Sequence, residues 1–313
     1  MGQVTRREVI KMMGAAGLGT IVLPLVGTAR TMTNSATTML QRTIPATGEK
    51  LPVVGLGTWI QFDVGTEAAA RDPLAAVLKS MLEMGGRLID SSPMYGKAEE
   101  VVGDLTSASG NADKYFYATK VWTSGEQSGI RQMTSSLQKM RRTSMDLMQV
   151  HNLQDWQTHL KTMRQWKEEG KLRYTGVTHY TASAHDQLEQ IVRSKAVDFV
   201  QFNYSMQDRN AERSLLNAAR DSGVAVIINE PFASGSLFSL VKGKSLPAWA
   251  TDYDINSWAQ FFLKYILAHP AVNCVIPGTS NPKHVVDNMG AGYGKLPDEK
   301  GRKKMLDYIQ QLV

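Results

Sequence analysis

Short apolar runs alternate with longer amphipathic stretches from about residue 53 to the end of the 313-residue chain. Runs of this length that are rich in β-branched and aromatic residues are typical of strands buried inside a sheet. Eight of them occur, so the chain carries enough strands to close a barrel. The runs cover residues 53–57, 87–90, 115–121, 145–151, 174–179, 199–204, 225–229 and 273–276.

The stretches between these runs repeat their apolar residues with the period of an α-helix. Gly170 and Gly223 each follow one of these stretches, at the position where a left-handed helix cap is expected. The predicted helices cover residues 68–84, 99–105, 130–140, 156–169, 183–193, 209–221 and 254–268.

A strand followed by a helix, repeated eight times, predicts an α/β protein whose parallel sheet closes into a (β/α)8 TIM barrel. The alternative is an open doubly wound sheet. That fold normally shows a glycine-rich fingerprint between its first strand and first helix. Gly55-Leu56-Gly57 matches this fingerprint incompletely and no helix follows it at once, so the closed barrel is favoured.

Two apolar stretches precede the first barrel strand. Residues 39–44 and 51–54 flank a turn sequence that contains Gly48, and this pattern predicts an antiparallel β-hairpin at the start of the domain. A polar stretch lies before the hairpin. We therefore interpret residues 30–38 as a polar linker and residues 39–313 as one barrel domain, because no change in composition indicates a second one.

The first 29 residues have the pattern of a signal peptide. Arg6 and Arg7 precede an apolar stretch over residues 12–26, and small residues follow at 27–29. Adjacent arginines indicate the twin-arginine (Tat) route, with cleavage expected near Ala29 or Ala36. A membrane anchor is the alternative, but the stretch is shorter than the roughly 20 residues that a spanning helix needs. The sequence thus predicts export to the periplasm, with the Tat machinery as a partner and no stable membrane anchor.

Composition adds few constraints. With 42% hydrophobic and 20% charged residues, the chain can bury a large core and shows no sign of disorder. Loss of residues 1–29 removes three cations and one anion, so the formal charge falls from +6 to +4. The remaining cations are spread along the chain and do not indicate a nucleic-acid partner.

The single cysteine, Cys274, excludes an internal disulfide, and its apolar neighbours predict burial in a strand.

Polar side chains end three consecutive strand-like runs. Asp90, Lys120 and His151 are separated by 30 and 31 residues, which places them in register on neighbouring barrel units. Tyr95 follows Asp90 in the next loop. Because the carboxyl ends of barrel strands meet at one rim, we expect these four side chains to form an active site there.

These residue types suit the reduction of a carbonyl group. Hydride addition needs a proton donor for the developing alkoxide, and a tyrosine is a poor donor unless a nearby cation lowers its pKa. Lys120 would supply that cation, and Asp90 would be its counter-ion. His151 would orient the carbonyl oxygen through a hydrogen bond.

The sequence resembles the aldo/keto reductase family from about Leu40 to the end of the chain. The most specific element is Asp90-Ser-Ser-Pro-Met-Tyr95-Gly96, followed by Lys97-Ala-Glu-Glu-Val-Val-Gly103. The resemblance implies an NAD(P)H-dependent reductase of small carbonyl compounds. Its catalytic tetrad carries over to Asp90, Tyr95, Lys120 and His151, with the tyrosine as proton donor.

The same resemblance implies a set of cofactor contacts. Thr178, His179 and Gln201 occupy the positions of residues that hold the nicotinamide carboxamide, although His179 departs from the usual asparagine and is also a candidate substrate contact. Asn229 stands where the family usually has a tyrosine that stacks on the nicotinamide. Because an asparagine cannot stack on the ring, Phe232 or Trp122 would have to take over that contact.

The segment that begins at Ile276 resembles the family's adenosine-phosphate site. Gly278 replaces a usual lysine, so the expected contacts are the backbone amides before a helix from about residue 282, together with a few side chains. Lys283 and His284 are the candidate partners of a 2′-phosphate, which favours NADP with NAD as the alternative. The predicted contacts in this segment are Gly278, Thr279, Ser280, Lys283, His284 and Asn288.

The connection over residues 233–252 is long for a barrel loop, and Gly235, Gly243 and Pro247 argue against a helix within it. In the resembling family this loop folds over the cofactor. Its aromatic residues, together with Trp59, Trp122 and Trp156, are as well explained by packing as by a substrate pocket. The physiological substrate is not readable from them.

Two other functions fit parts of the pattern. Asp90, His151 and His179 at strand ends would suit a metal-dependent hydrolase, although a metal site would not need Tyr95 and Lys120. A non-catalytic barrel that retains the cofactor for sensing or partner binding is the other alternative, because an exported enzyme has no expected means of regenerating reduced nicotinamide.

Overall fold

The computed structural model describes residues 38–312. The predicted signal peptide over residues 1–29 lies outside the described residues, as does all but Thr38 of the predicted linker. None of the described helices is both long and apolar enough to span a membrane. The described chain forms a hairpin followed by a barrel.

Residues 38–312 form ten strands, which include all eight predicted barrel strands. The first two form an antiparallel hairpin in which Gln41 pairs with Pro52, which confirms the predicted hairpin. The other eight are parallel and lie in sequence order. The strands are β1 Gln41–Thr43, β2 Lys50–Pro52, β3 Leu56–Gly57, β4 Leu88–Asp90, β5 Phe116–Val121, β6 Met145–His151, β7 Leu172–His179, β8 Phe199–Asn203, β9 Ala225–Asn229 and β10 Val272–Val275.

The described part of the chain also contains ten α-helices, and the seven predicted ones are among them. The helices are α1 Ala68–Glu83, α2 Ala98–Ala108, α3 Glu126–Lys139, α4 Trp156–Glu168, α5 His185–Arg193, α6 Leu215–Ser222, α7 Ser236–Leu240, α8 Trp258–Leu267, α9 Pro282–Gly290 and α10 Glu299–Gln310.

Glycines permit the barrel to close between β3 and β10. Val54 bridges to Val275 and Gly57 to Gly278, both in the parallel sense. A Cβ atom added at Gly57 would lie 2.9 Å from the carbonyl oxygen of Ile276, and one at Gly55 would lie 2.7 Å from that of Leu88. Any larger residue would therefore push β3 away from its neighbours. The two glycines that formed an incomplete nucleotide fingerprint have a packing function at the barrel seam.

Two apolar cores stabilise the barrel. The larger lies between the strands and the surrounding helices, and the smaller fills the barrel interior. Ile44 and Leu51 of the hairpin belong to the interior core, where they meet Leu88 and Phe116 from the starts of their strands. The hairpin therefore plugs the amino-terminal end of the barrel and leaves the opposite end open for a site. Cys274 is fully buried in β10, as predicted.

One prediction for the loops was wrong. The connection over residues 233–252 contains α7, flanked by short 3-10 turns at Ala233–Gly235 and Ala248–Tyr253. Its glycines do not prevent a helix because Gly235, at φ 90°, precedes α7 and Gly243, at φ 73°, follows it.

Candidate active site

A buried ion pair lies at the carboxyl end of the barrel. Asp90 ends β4, Lys120 lies near the end of β5, and both side chains are almost completely buried. Lys120 Nζ donates to Asp90 Oδ2 at 2.5 Å and to the carbonyl oxygen of Ser91 at 2.7 Å. Burial lowers the pKa of Lys120, but the Asp90 carboxylate and the Tyr95 hydroxyl raise it by more. Lys120 is thus held as a cation inside the barrel.

Tyr95 lies directly above this pair. Its ring centroid is 4.9 Å from Lys120 Nζ, and its ring meets that of His151 edge to face with centroids 5.8 Å apart. Burial raises the pKa of Tyr95 and the charge of Lys120 lowers it, with burial prevailing. The expectation that Lys120 lowers the pKa of Tyr95 is right for that one interaction, yet the net shift is upward. Tyr95 therefore carries its proton at neutral pH.

His151 ends β6 with 6% of its surface exposed. Burial, followed by the charge of Lys120, lowers the pKa of His151 to about 2, so the imidazole is neutral. Its Nδ1 lies 2.9 Å from Ser92 Oγ, and that oxygen accepts a hydrogen bond from the Met94 backbone N–H. When the Ser92 hydroxyl donates to Nδ1, the imidazole proton lies on Nε2, whereas the opposite direction places it on Nδ1.

Amide side chains extend the site along the sheet. Gln149 Nε2 and Gln201 Nε2 donate to Asp90 Oδ1 at 3.0 and 2.9 Å. Gln201 Oε1 accepts from Thr178 Oγ1 and from Asn229 Nδ2, each at 3.2 Å. The structure thus brings three predicted cofactor residues into one network with the ion pair. Sequence reasoning missed Gln149, although a polar residue two positions before His151 in an apolar strand was a usable signal.

A cavity of about 890 Å³ opens above these residues. The side chains of Trp59, Met94, Phe232 and Phe238 form much of its wall. Trp122 and Trp156 are not among the residues that line it. The predicted residues that line the cavity are Asp90, Tyr95, His151, Thr178, Gln201, Asn229 and Gly278.

His179 has a different environment. Its Nδ1 accepts from the backbone N–H of Thr181 at 3.2 Å, and its ring stacks on Tyr180 with centroids 5.5 Å apart. Tyr180 lines the cavity, whereas His179 does not. A contact from His179 to cofactor or substrate stays a prediction.

Of the six contacts predicted in the phosphate segment, Gly278 alone lines the cavity. Thr279 and Asn288 are buried, and the Thr279 hydroxyl accepts from the Asn281 backbone N–H. Ser280, Lys283 and His284 are exposed around the start of α9, which Asn281 caps. Lys283 therefore presents a cation beside a helix amino terminus, an arrangement that suits a phosphate group.

The residues present fit a nicotinamide cofactor at its reactive end. Asn229 Oδ1 is buried beside the cavity and has no hydrogen-bond partner within residues 38–312. An oxygen in that position suits the N–H of a carboxamide. Thr178 and Gln201 lie next to it, so the structure provides polar partners where the resemblance to known reductases requires them.

The described residues do not offer a metal site, since no group of three His, Cys, Asp or Glu side chains lies close enough together among them. Asp90 is already bonded to Lys120, and His151 Nδ1 to Ser92. The three groups considered for a metal-dependent hydrolase thus already have partners, since His179 Nδ1 accepts from the backbone N–H of Thr181.

Comparison with known proteins places this geometry in a family. The model of the Aldo/keto reductase family matches residues 53–303. Methylglyoxal reductase YeaE of Escherichia coli is 29% identical over 259 residues, which cover 80% of this chain and 89% of the relative. Methylglyoxal reductase DkgA of Escherichia coli is 28% identical over 85% of this chain and 93% of its own length.

Solved structures agree. An aldo-keto reductase from Klebsiella pneumoniae in complex with NADPH superimposes with a TM-score of 0.72 at 26% identity, covering 87% of this chain and 95% of the other. A Klebsiella pneumoniae aldo/keto reductase in complex with NADP and acetate gives 0.71 at 25% identity, over 84% and 93% of the two chains. This chain therefore belongs to the aldo/keto reductase family of NAD(P)H-dependent oxidoreductases.

Proposed function

We propose that the protein is an NADPH-dependent reductase of aldehydes and ketones in which Tyr95 donates the proton. The observation that carries this proposal is the position of the buried Lys120 Nζ, 2.5 Å from Asp90 Oδ2 and 4.9 Å from the centroid of the Tyr95 ring, because Asp90 and Tyr95 both line the cavity. The complexes of the Klebsiella pneumoniae proteins with NADP and NADPH support the choice of cofactor.

Thr178, Gln201 and Asn229 would hold the carboxamide of the nicotinamide, because their polar atoms converge beside the cavity. Gly278, Lys283 and the start of α9 would hold the phosphate end. When bound, the reduced nicotinamide supplies a hydride to the carbonyl carbon. The protein has to place the carbonyl oxygen between Tyr95 and His151.

The proton steps then follow from the charges of the site. Neutral His151, with its proton on Nε2, donates a hydrogen bond to the carbonyl oxygen. Tyr95 transfers its proton to that oxygen as negative charge develops there. Lys120 stabilises the phenolate that remains, since its ammonium group lies against the ring. Solvent returns the proton to Tyr95, so one carbonyl, one hydride and one proton give one alcohol.

The test is the oxidation of NADPH with 4-nitrobenzaldehyde as substrate. We expect measurable turnover in the native protein and a loss of at least about a hundredfold in Tyr95→Phe, which removes the proton and little else. Tyr308→Phe is the matched control because Tyr308 lies on α10, away from the cavity. Equal activity in Tyr95→Phe and the native protein would disprove the proposed donor. NADPH binding without turnover would favour the non-catalytic alternative.

We also propose that the protein is exported to the periplasm by the Tat route. Arg6 and Arg7 before an apolar stretch support this proposal. Fractionation of cells that produce the full chain should find the native protein in the periplasm and the doubly substituted Arg6→Lys, Arg7→Lys variant in the cytoplasm. The same distribution for both chains would count against it.

A further inference from the structure

Asn152 is a polar residue of the cavity that the proposed mechanism does not use. It directly follows His151, the last residue of β6, and both residues line the cavity. The amide oxygen of Asn152, Oδ1, is buried and has no hydrogen-bond partner within residues 38–312. A buried polar group without a partner is unfavourable, so its presence beside a catalytic histidine needs an explanation.

A tight turn fixes the position of this side chain. The backbone N–H of Gln154 donates to the carbonyl oxygen of His151 at 3.1 Å, and the two residues between them have φ angles of 51° and 56°. Asparagine adopts this left-handed conformation readily, so the turn offers one explanation for Asn152. Leu153, however, takes the same conformation without being asparagine or glycine. The turn therefore does not require an amide, and it does not account for an unpartnered oxygen at the cavity.

Asn152 lies apart from the residues assigned to the cofactor. Those residues are on β7, β8 and β9 and directly after β10, at Thr178, Gln201, Asn229 and Gly278. Asn152 instead follows β6, next to the histidine that orients the carbonyl. Strands β4 to β6 carry Asp90, Lys120 and His151, the strand-borne members of the tetrad. The amide of Asn152 thus belongs to the part of the rim where the carbonyl has to bind.

We propose that Asn152 recognises a hydroxyl group on the carbon next to the carbonyl, and that 2-hydroxy aldehydes and ketones are the preferred substrate class. This inference rests on the proposed reductase function. Consecutive Cα atoms are about 3.8 Å apart, so His151 and Asn152 reach neighbouring oxygens of one ligand. The amide offers a donor and an acceptor, and a half-turn about its last bond exchanges them. A hydroxyl group, which also donates and accepts, pairs with either end.

The kinetic test compares two aldehydes of equal size, 2-hydroxypropanal and 2-methylpropanal, which differ by a hydroxyl in place of a methyl group. We expect kcat/KM of the native protein to be about tenfold higher for the hydroxy aldehyde. Asn152→Leu keeps the size of the side chain, and Asn152→Gly suits the turn. Both should bring the ratio close to one by lowering the value for the hydroxy aldehyde. The matched control is Gln154→Leu, an exposed position of the same turn outside the cavity, which should preserve the ratio.

A binding measurement separates this inference from the reductase function. 1-Phenylethane-1,2-diol and 1-phenylpropan-1-ol are the alcohol products of a 2-hydroxy ketone and of its methyl analogue, and their binding needs no turnover. Isothermal titration calorimetry with NADP⁺ present should show the diol binding about fivefold to tenfold more tightly in the native protein, and equal binding of both alcohols in Asn152→Leu. That result supports the inference even if no aldehyde is reduced. Equal affinities for the two alcohols in the native protein, or a preference that survives in both Asn152 variants, would overturn it.

Discussion

Ser92 Oγ lies 2.9 Å from His151 Nδ1, and the hydroxyl oxygen is itself held by the backbone N–H of Met94. We expect the serine hydroxyl to donate to Nδ1, because the neutral imidazole can then present its Nε2 proton to a carbonyl oxygen in the cavity. Ser92, two residues after Asp90, would therefore set which nitrogen of His151 faces the substrate with a proton.

Ser92→Ala should lower kcat by about tenfold and change KM little. Without the Ser92 hydroxyl, the proton of His151 is no longer held on Nε2, where it can be donated to the carbonyl oxygen. Steady-state kinetics gives the split between kcat and KM, and ¹⁵N shifts of His151 report the tautomer directly. Ser91→Ala is the matched control, since the Ser91 hydroxyl bonds to Thr58. Ser92→Thr, which keeps the hydroxyl, should restore activity. An unchanged tautomer in Ser92→Ala would exclude this positioning role.

The pH dependence of reduction should show no inflection near the ordinary histidine value. The pKa of His151 is lowered to about 2 by burial, so the ring stays neutral throughout the accessible range. The pKa of Tyr95 is raised by burial, and reduction needs its proton. We therefore expect kcat/KM to be level from about pH 6 to pH 9 and to fall only at higher pH. An acid limb near pH 6.5 that disappears in His151→Gln would contradict this view of the imidazole.

The sequence predicted the barrel, and the meeting of Asp90, Lys120 and His151 at one rim, because both depend on regular spacing along the chain. Eight apolar runs fix eight parallel strands, and equal spacing of Asp90, Lys120 and His151 places them on neighbouring strand ends. Tyr95 follows Asp90 by five residues, so the loop after β4 brings it to the same rim. For each of these residues, the nearby sequence is enough to predict its position in the fold.

Residues whose position depends on the packing of distant segments could not be predicted in this way. Gln149 contacts Asp90 across 59 residues. The net pKa of Tyr95 depends on burial, which a sequence pattern does not measure.

Removing one partner of the Asp90–Lys120 ion pair should destabilise the protein much more than replacing both partners with uncharged residues. Asp90→Asn leaves a buried ammonium without a counter-charge and should destabilise the protein by about 3 to 5 kcal/mol. Lys120→Met should cost less, because Gln149 and Gln201 still donate to the Asp90 carboxylate. The double variant should therefore lose less stability than the two single variants lose together. We expect both single variants and the double variant to be inactive. Urea denaturation measures the four free energies, and strict additivity would mean that the pair is not coupled.

Glu99 is a buried carboxyl group whose ionisation should lower the stability of the folded protein. Its side chain is buried behind β5, where Thr119 donates to Oε1 at 2.5 Å and Oε2 has no partner within residues 38–312. Burial raises the pKa of Glu99, with the Thr119 hydroxyl opposing it. Because the folded state holds this proton more tightly than the unfolded chain, stability present in acid is lost as the pH rises from the ordinary glutamate value of about 4.3 through the folded value.

Glu99→Gln keeps the shape of the side chain and removes the ionisation. We expect the variant to be more stable than the native protein by about 1 to 2 kcal/mol at pH 8, and to lose this advantage near pH 4. Urea denaturation across this range measures the difference. Glu100→Gln, one residue further along α2 and exposed, should change stability little at either pH. If Glu99→Gln is equally destabilising at both pH values, the carboxylate is ionised and satisfied in the folded protein, and its burial does not limit stability.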